Sequence, residues 1–303
     1  MDELKIHFVD FWPNFKNNDN YFYHLLSKEY KIILDANDPD LLFYSFDYSG
    51  KAEHKRYSNK RCIKIYYTGE CSLPDYKECD FSFTFEYDND ERNYRLPLWA
   101  LHINWFNVDE DINRDQSYLH PVDMLFHKNE INKLIKKDKF CSFISSNPKG
   151  NRMSFVPKLN SFKKVDCIGK LFNNTTTNIP GRGDQIWKIL ALKPYKFNIS
   201  FENTSSDGYV TEKIIHPMFV NTIPIYWGSR RVGEDFNSKS FISQHDFSSE
   251  EEMIDRINEI DNSKTKYEEM LNEPWFNNNK YPDFVLPENI FKFFKTKILP
   301  KIK

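Results

Sequence analysis

The chain has 303 residues, with 42 Lys and Arg against 44 Asp and Glu, a formal net charge of −2. That balance excludes the basic field a nucleic-acid-binding protein would carry. Apolar residues make up 40% and aromatics 17%, too much for disorder and enough for two domains or one large one. No apolar run reaches eighteen residues, so no segment is expected to span a membrane. The opening MDELKIHFVDFW lacks the basic-then-apolar pattern of a secretory signal, which points to a cytoplasmic location. Five cysteines at 62, 71, 79, 141 and 167 follow no zinc spacing, and read as reduced thiols.

In chain order, Leu4–Val9 is a β-rich run that ends before Pro13 and reads as a first strand. A polar break follows, with Asp19 a candidate N-cap for a helix over Tyr21–Lys28. Lys31–Leu34, Leu41–Tyr44, Cys62–Tyr67 and Phe81–Phe85 read as further strands. The pattern turns helical over 121–137. A second set then begins: strands at 140–144, 165–169, 195–201 and 223–226, with helices at 153–162 and 209–221. Helices at 250–261 and 264–271 and an amphipathic, basic final helix over 291–303 complete it. Strand–helix alternation with short connections implies parallel sheets, hence two Rossmann-like α/β halves. Ligands in such sheets bind beyond the carboxyl ends of the strands. Glu70, Arg152 and the segment 202–213 all follow strands.

The string YKFNISFENTSSDGYVTEKII, Tyr195–Ile215, resembles the signature of the α-1,3-fucosyltransferases, glycosyltransferase family 10. NTIPIYWGS, Asn221–Ser229, continues the match. Weaker likenesses lie upstream: Tyr67-Thr68-Gly69-Glu70 resembles the Y-T-G-E of bacterial members. Ser146-Asn147-Pro148 with Arg152 resembles an S-N-x…R segment, and Asp166 with Gly169-Lys170 a D-x-x-G-K strand end. The likeness covers residues 60 to 280 and is weakest over the first sixty. It implies a GT-B fold, two Rossmann-like domains with an interdomain cleft. The expected division is an acceptor-binding domain over 1–137, onto which the helix 288–303 packs back, and a GDP-fucose-binding domain over 138–287.

The activity implied is inverting transfer of L-fucose from GDP-β-L-fucose to a GlcNAc-containing glycan. The acceptor would be of the LacNAc or Lewis type, a lipopolysaccharide O-antigen among them. Such a displacement passes through an oxocarbenium-like transition state, as in inverting glycosidases. A carboxylate must take the acceptor's proton. Glu70, after a glycine at a strand end, is the candidate, and the resemblance implies that role. Cations must hold the departing diphosphate. Arg152 offers a bidentate grip and Lys213 a point charge. Lys213 falls in the first turn of a helix, where a bound anion would offset an unfavourable dipole. Backbone N–H groups of Gly208–Thr211 are expected to face the phosphates as well. Glu212 is a candidate for ribose hydroxyls or for the charge on the sugar, and Asn203 and Tyr209 for lining the pocket. Glu202 suits a ligand role or a buried structural pairing equally.

No metal is required in this scheme, although Mn²⁺ or Mg²⁺ stimulation is compatible with it. Asp38-x-Asp40, Asp88-x-Asp90 and Asp109-x-Asp111 have the D-x-D spacing of metal-dependent transferases, but sit in polar loops outside the donor half. Gly181–Asp184 spells RGD and reads as a turn. The basic, apolar tail 292–303 could lie on an anionic membrane or pack onto the first domain; packing is the preferred reading. The oligomeric state is not legible. Competing readings are α-1,4 or dual-specificity transfer to a type 1 chain, and a sugar-nucleotide-binding protein that has lost catalysis.

Overall fold

The computed structural model describes residues 1–87, 90–108, 119–126, 136–176 and 185–302. They pack into two units: Met1–Leu101 with Trp105–Val108 and Asp283–Lys303, and His102–Asn104 with Asp109–Pro282. The sequence boundary at 137/138 differs from this division. Part of the reason is local: Ile103–Asn104 pairs in parallel with His120–Pro121, and His102 and His120 both lie against His216.

The first unit is built on a parallel sheet of β1 (Glu3–Val9), β2 (Lys31–Leu34), β3 (Leu41–Tyr44), β4 (Ile63–Tyr67), β5 (Phe81–Thr84) and β6 (Asn93–Arg95). The strand order is β2-β1-β3-β4-β5-β6. The chain moves one way from β1 to β2 and the other way from β3 onward, so the order reverses between β1 and β3. Every residue of β3 and β5 is buried, as in a sheet covered on both faces; β3 is apolar throughout, whereas β5 alternates Phe with Ser82 and Thr84, whose hydroxyls donate to Asn93 Oδ1. Helix α1 (Tyr21–Ser27) is capped by Asn20, whose Oδ1 accepts from Tyr23 N at 3.0 Å. The expected cap, Asp19, lies one residue early and pairs with His24 instead.

The final helix starts earlier than the sequence pattern suggests. It runs from Pro287 to Phe293, with proline at its first turn. It continues as a π turn over Phe294–Ile298 and a 3-10 turn over Leu299–Lys301. Ile290, Phe294 and Ile298 are fully buried. Phe294 stacks on Phe83 at 5.1 Å. The apolar face considered for a membrane is therefore part of the first unit's core. Lys295 and Lys297 face outward and pair with Glu29 and Glu91 at 2.7 and 2.6 Å.

The second unit has the parallel order β10-β9-β11-β12-β13. The strands are β9 (Lys139–Phe143), β10 (Val165–Cys167), β11 (Tyr195–Phe201), β12 (Ile223–Trp227) and β13 (Ile242–Ser243), with β7 (Ile103–Asn104) and β8 (His120–Pro121) as a separate pair. Its order reverses between β9 and β11. Around it stand α2 (Arg152–Phe162), α3 (Gln185–Leu192), α4 (Glu212–Phe219), α5 (Glu250–Asn262) and α6 (Lys264–Asn272). Phe143, Phe155, Phe197, Phe201 and Ile257 form the middle of its core.

Two expectations shift here. The helix read over 121–137 has a strand at His120–Pro121 and a turn up to 126, and residues 127–135 lie outside the described residues. The helix read from Tyr209 begins at Glu212, because Thr211 is its N-cap and Tyr209 and Val210 are buried in the preceding loop.

Candidate active site

The loop after β11 carries most of the signature string. Ser206–Tyr209 is a tight turn, closed by Tyr209 N donating to Ser206 O at 3.1 Å. Gly208 stands third in it at φ +83°, the left-handed position that favours glycine. Its N–H donates to Ser229 Oγ at 2.9 Å. Thr211 N donates to Glu202 Oε1 at 2.8 Å. Three of the four N–H groups expected to face phosphates, those of Gly208, Tyr209 and Thr211, are thus committed inside the protein.

Glu202, at the end of β11, has no solvent exposure. Thr211 Oγ1 donates to its Oε2 at 2.8 Å and accepts from Lys213 Nζ at 2.8 Å. Lys213 Nζ also lies 3.1 Å from Glu202 Oε2 and 3.6 Å from Glu212 Oε1. Burial pushes the Glu202 carboxyl above its ordinary range, against the pull of Lys213 and the Thr211 bonds. For Lys213, burial is outweighed by the two carboxylates, which hold the ammonium more firmly protonated. For Glu202 the structure realises the buried pairing.

Arg152, at the start of α2, is 1% exposed. Its Nη1 donates to Asn147 O and to Asn203 Oδ1, both at 3.0 Å, and its Nη2 to Phe201 O. The guanidinium therefore bridges the loop after β9 and the loop after β11, the two strands between which the order reverses. That crevice is where doubly wound sheets hold ligands. Arg152 Nε is buried with no hydrogen-bond partner among the described residues. Gly169 packs the β10 end onto the same loop: a Cβ there would lie 2.4 Å from Ser145 O. Gly228 gives room to the other side, since a Cβ there would lie 2.6 Å from Glu202 Cγ.

Of the residues singled out in sequence, Arg152, Asn203, Tyr209, Glu212 and Lys213 all belong to the second unit. Arg152 and Asn203 are bonded, and Lys213 is paired with Glu212. Tyr209 is 3% exposed. Sequence reasoning missed three histidines. His102 and His120 each contact His216 at ring distances of 5.5 Å. Burial, reinforced by His102, holds His216 down to about 3. Burial would raise the Glu212 carboxyl, but Lys213, His102 and His216 outweigh it and hold it well below the ordinary range. Nothing in the sequence joins these histidines, which come from three separate segments.

Glu70 belongs to the first unit, in the turn after β4. Its N–H donates to Thr68 Oγ1 at 2.9 Å, and Tyr48 Oη lies 3.5 Å from its Oε1. Gly69 precedes it; a Cβ there would touch the Leu98 side chain at 3.0 Å.

Among the described residues no group of three or more His, Cys, Asp or Glu is arranged to hold a metal. Asp40 Oδ2 accepts from Lys5 N at 2.9 Å. Asp88, Asp109, Asp111 and Gly181–Asp184 lie outside the described residues. Among the described residues no helix is long and apolar enough to cross a membrane.

Two doubly wound parallel sheets in series, each with side chains at its strand ends, define a GT-B glycosyltransferase architecture. Residues 6–102 match the alpha-(1,3)-fucosyltransferase FucT N-terminal domain, and residues 134–291 the C-terminal domain of glycosyltransferase family 10 (fucosyltransferase). The chain belongs to glycosyltransferase family 10. It is 34% identical to alpha-(1,3)-fucosyltransferase FucT of Helicobacter pylori over 97% of this chain, and spans 65% of that protein's length. It is 26% identical to human GDP-fucose protein O-fucosyltransferase 3 over 84% of this chain, spanning half of that protein. A crystal structure of alpha1,3-fucosyltransferase with GDP-fucose superposes with a TM-score of 0.74 at 30% identity, covering 98% of this chain and 90% of that one.

Proposed function

We propose that this chain transfers L-fucose from GDP-β-L-fucose to the 3-hydroxyl of a GlcNAc-containing glycan, with inversion and without a metal. The observation that carries the reading is the gathering of Arg152, Asn203, Glu202, Thr211 and Lys213 where the order of the second sheet reverses. In this scheme the second unit holds the donor and the first the acceptor. Glu70 accepts the proton of the attacking hydroxyl, so that the oxygen gains nucleophilicity as the C–O bond forms. Negative charge grows on the leaving β-phosphate as its bond to fucose breaks. Lys213 meets it as a point charge already oriented by Glu202 and Thr211. Arg152 meets it with a guanidinium fixed by backbone carbonyls. Glu212 takes ribose hydroxyls, and Asn203 and Tyr209 line the nucleotide. The two cations do the work that a divalent ion does in metal-dependent transferases.

The test incubates the protein with GDP-fucose and a panel of LacNAc-type and lacto-N-biose-type glycans, with and without EDTA, and follows GDP release. Acceptor-dependent release on LacNAc that survives EDTA is the expected result. Release confined to lacto-N-biose would reassign the linkage, loss in EDTA would restore a metal to the scheme, and no release on any glycan would overturn the reading.

A further inference from the structure

The first sheet reverses order between β1 and β3, so its own ligand crevice lies between the loops that follow those two strands. Those loops carry aromatic side chains that the core does not absorb. Phe46 and Tyr48 follow β3 and are 46% and 36% exposed. Trp12 follows β1 and is half-buried. Phe46 and Tyr48 meet edge to face at 5.5 Å, and Tyr48 meets Trp12 edge to face at 6.3 Å. The neighbouring strand, β4, ends in the turn that bears Glu70, 3.5 Å from Tyr48 Oη. Three adjacent strands thus deliver three aromatic rings and one carboxylate to the carboxyl end of the sheet.

We infer that Phe46, Tyr48 and Trp12 form the platform on which the acceptor's sugar ring stacks, with Glu70 at its edge toward the reacting hydroxyl. This rests on the fucosyl-transfer reading. The chemistry selects a pyranose. One face of such a ring is a patch of C–H groups with partial positive charge, which suits the negative face of an aromatic ring. Its rim is hydroxyl, which suits a carboxylate and a phenol. Rings held at right angles to one another offer a walled corner rather than a flat surface, and so favour a ring of fixed orientation. A solvent-facing phenylalanine at a strand end contributes little to folding, whereas here it packs against Tyr48, whose hydroxyl reaches the proposed base.

The test uses the full chain. In Phe46→Ala the KM for the glycan acceptor is expected to rise about fivefold to tenfold, the KM for GDP-fucose to stay within about twofold, and Phe46→Tyr to restore the acceptor KM. An unchanged acceptor KM in Phe46→Ala, or a parallel rise in both KM values, overturns the platform. A second measurement does not depend on turnover. Saturation-transfer NMR of the glycan with the protein should show transfer to the sugar C–H protons, lost in Phe46→Ala and kept in Phe46→Tyr. If the wild type transfers no fucose but shows this pattern, the transferase reading fails and the platform stands. If the wild type gives no saturation of the glycan, the platform fails.

Discussion

Lys213 Nζ lies 3.1 Å from Oε2 of Glu202, a carboxylate that no solvent reaches. The charge at the proposed donor site is therefore not simply cationic. Arg152 and Lys213 are answered there by Glu202 and Glu212, and the whole cluster is neutral before any ligand arrives. Its electrostatic value lies in fixed orientation, because a neutral array of held dipoles and charges needs little rearrangement when a phosphate takes on charge.

Breaking that pair from one side should be costly. Glu202→Ala is expected to lower stability by about 3 kcal/mol, the low end for a buried ion pair, since the Lys213 side chain keeps some contact with water. Glu202→Ala combined with Lys213→Met should recover more than half of that loss. Urea unfolding of the single and double variants measures the coupling. Strict additivity would mean that the two residues do not act as a pair.

Glu70→Ala should separate binding from chemistry. Transfer is expected to fall about 10²- to 10⁴-fold, the usual worth of a positioned base. GDP affinity by titration calorimetry should stay within about twofold. Turnover at the wild-type rate would remove Glu70 from the mechanism.

Phe294→Ala tests where the C-terminal segment belongs. Phe294 is fully buried and stacks on Phe83, so the substitution should cost about 3–5 kcal/mol in unfolding experiments. A tail held on a membrane would give a different pattern, with stability unchanged and binding to anionic vesicles reduced.

The buried histidines should make the fold acid-sensitive. His216 is held down to about 3 in the folded chain, against an ordinary value of 6.5. Between these values the unfolded chain binds a proton that the folded chain does not. Its contribution is therefore complete above pH 6.5 and lost as pH falls toward 3. The loss for His216 is about 2 kcal/mol between pH 6.5 and 5. Glu202, whose carboxyl is raised, works in the opposite sense: its folded form binds the extra proton as pH falls. Comparing His216→Gln with the parent across this range subtracts that contribution. A flatter stability-against-pH curve for the variant is the expected result, and parallel curves would show that His216 titrates alike in the folded and unfolded chains.

The strands were legible from pattern: Leu41–Tyr44 is apolar throughout, as in a strand covered on both faces, and Phe81–Thr84 alternates. Helix starts were harder. Tyr209 and Val210 carry the apolar spacing of a helix but owe their burial to the loop. The turn glycine at 208 and the threonine at 211 were the better signals. Glu202 could be recognised as needing a partner, but its partners lie nine and eleven residues on, across a turn that only tertiary packing closes. The histidine cluster and the Phe46–Tyr48–Trp12 corner depend on which strands become neighbours, and no local pattern encodes that.

The C-terminal segment that completes the first core has a consequence for how the molecule is made. Lys297 pairs with Glu91 across 206 residues of chain, and Phe294 closes over Phe43 and Phe83. During translation the strands of the first sheet are made early but lack this cover until residues 287–301 follow, after the segments of the second unit. The second unit, whose segments are synthesised in between, has its own partners sooner. The first unit is thus completed only after the segments of the second have been made, and in the interval its uncovered aromatic face is open to chaperones and to misassembly.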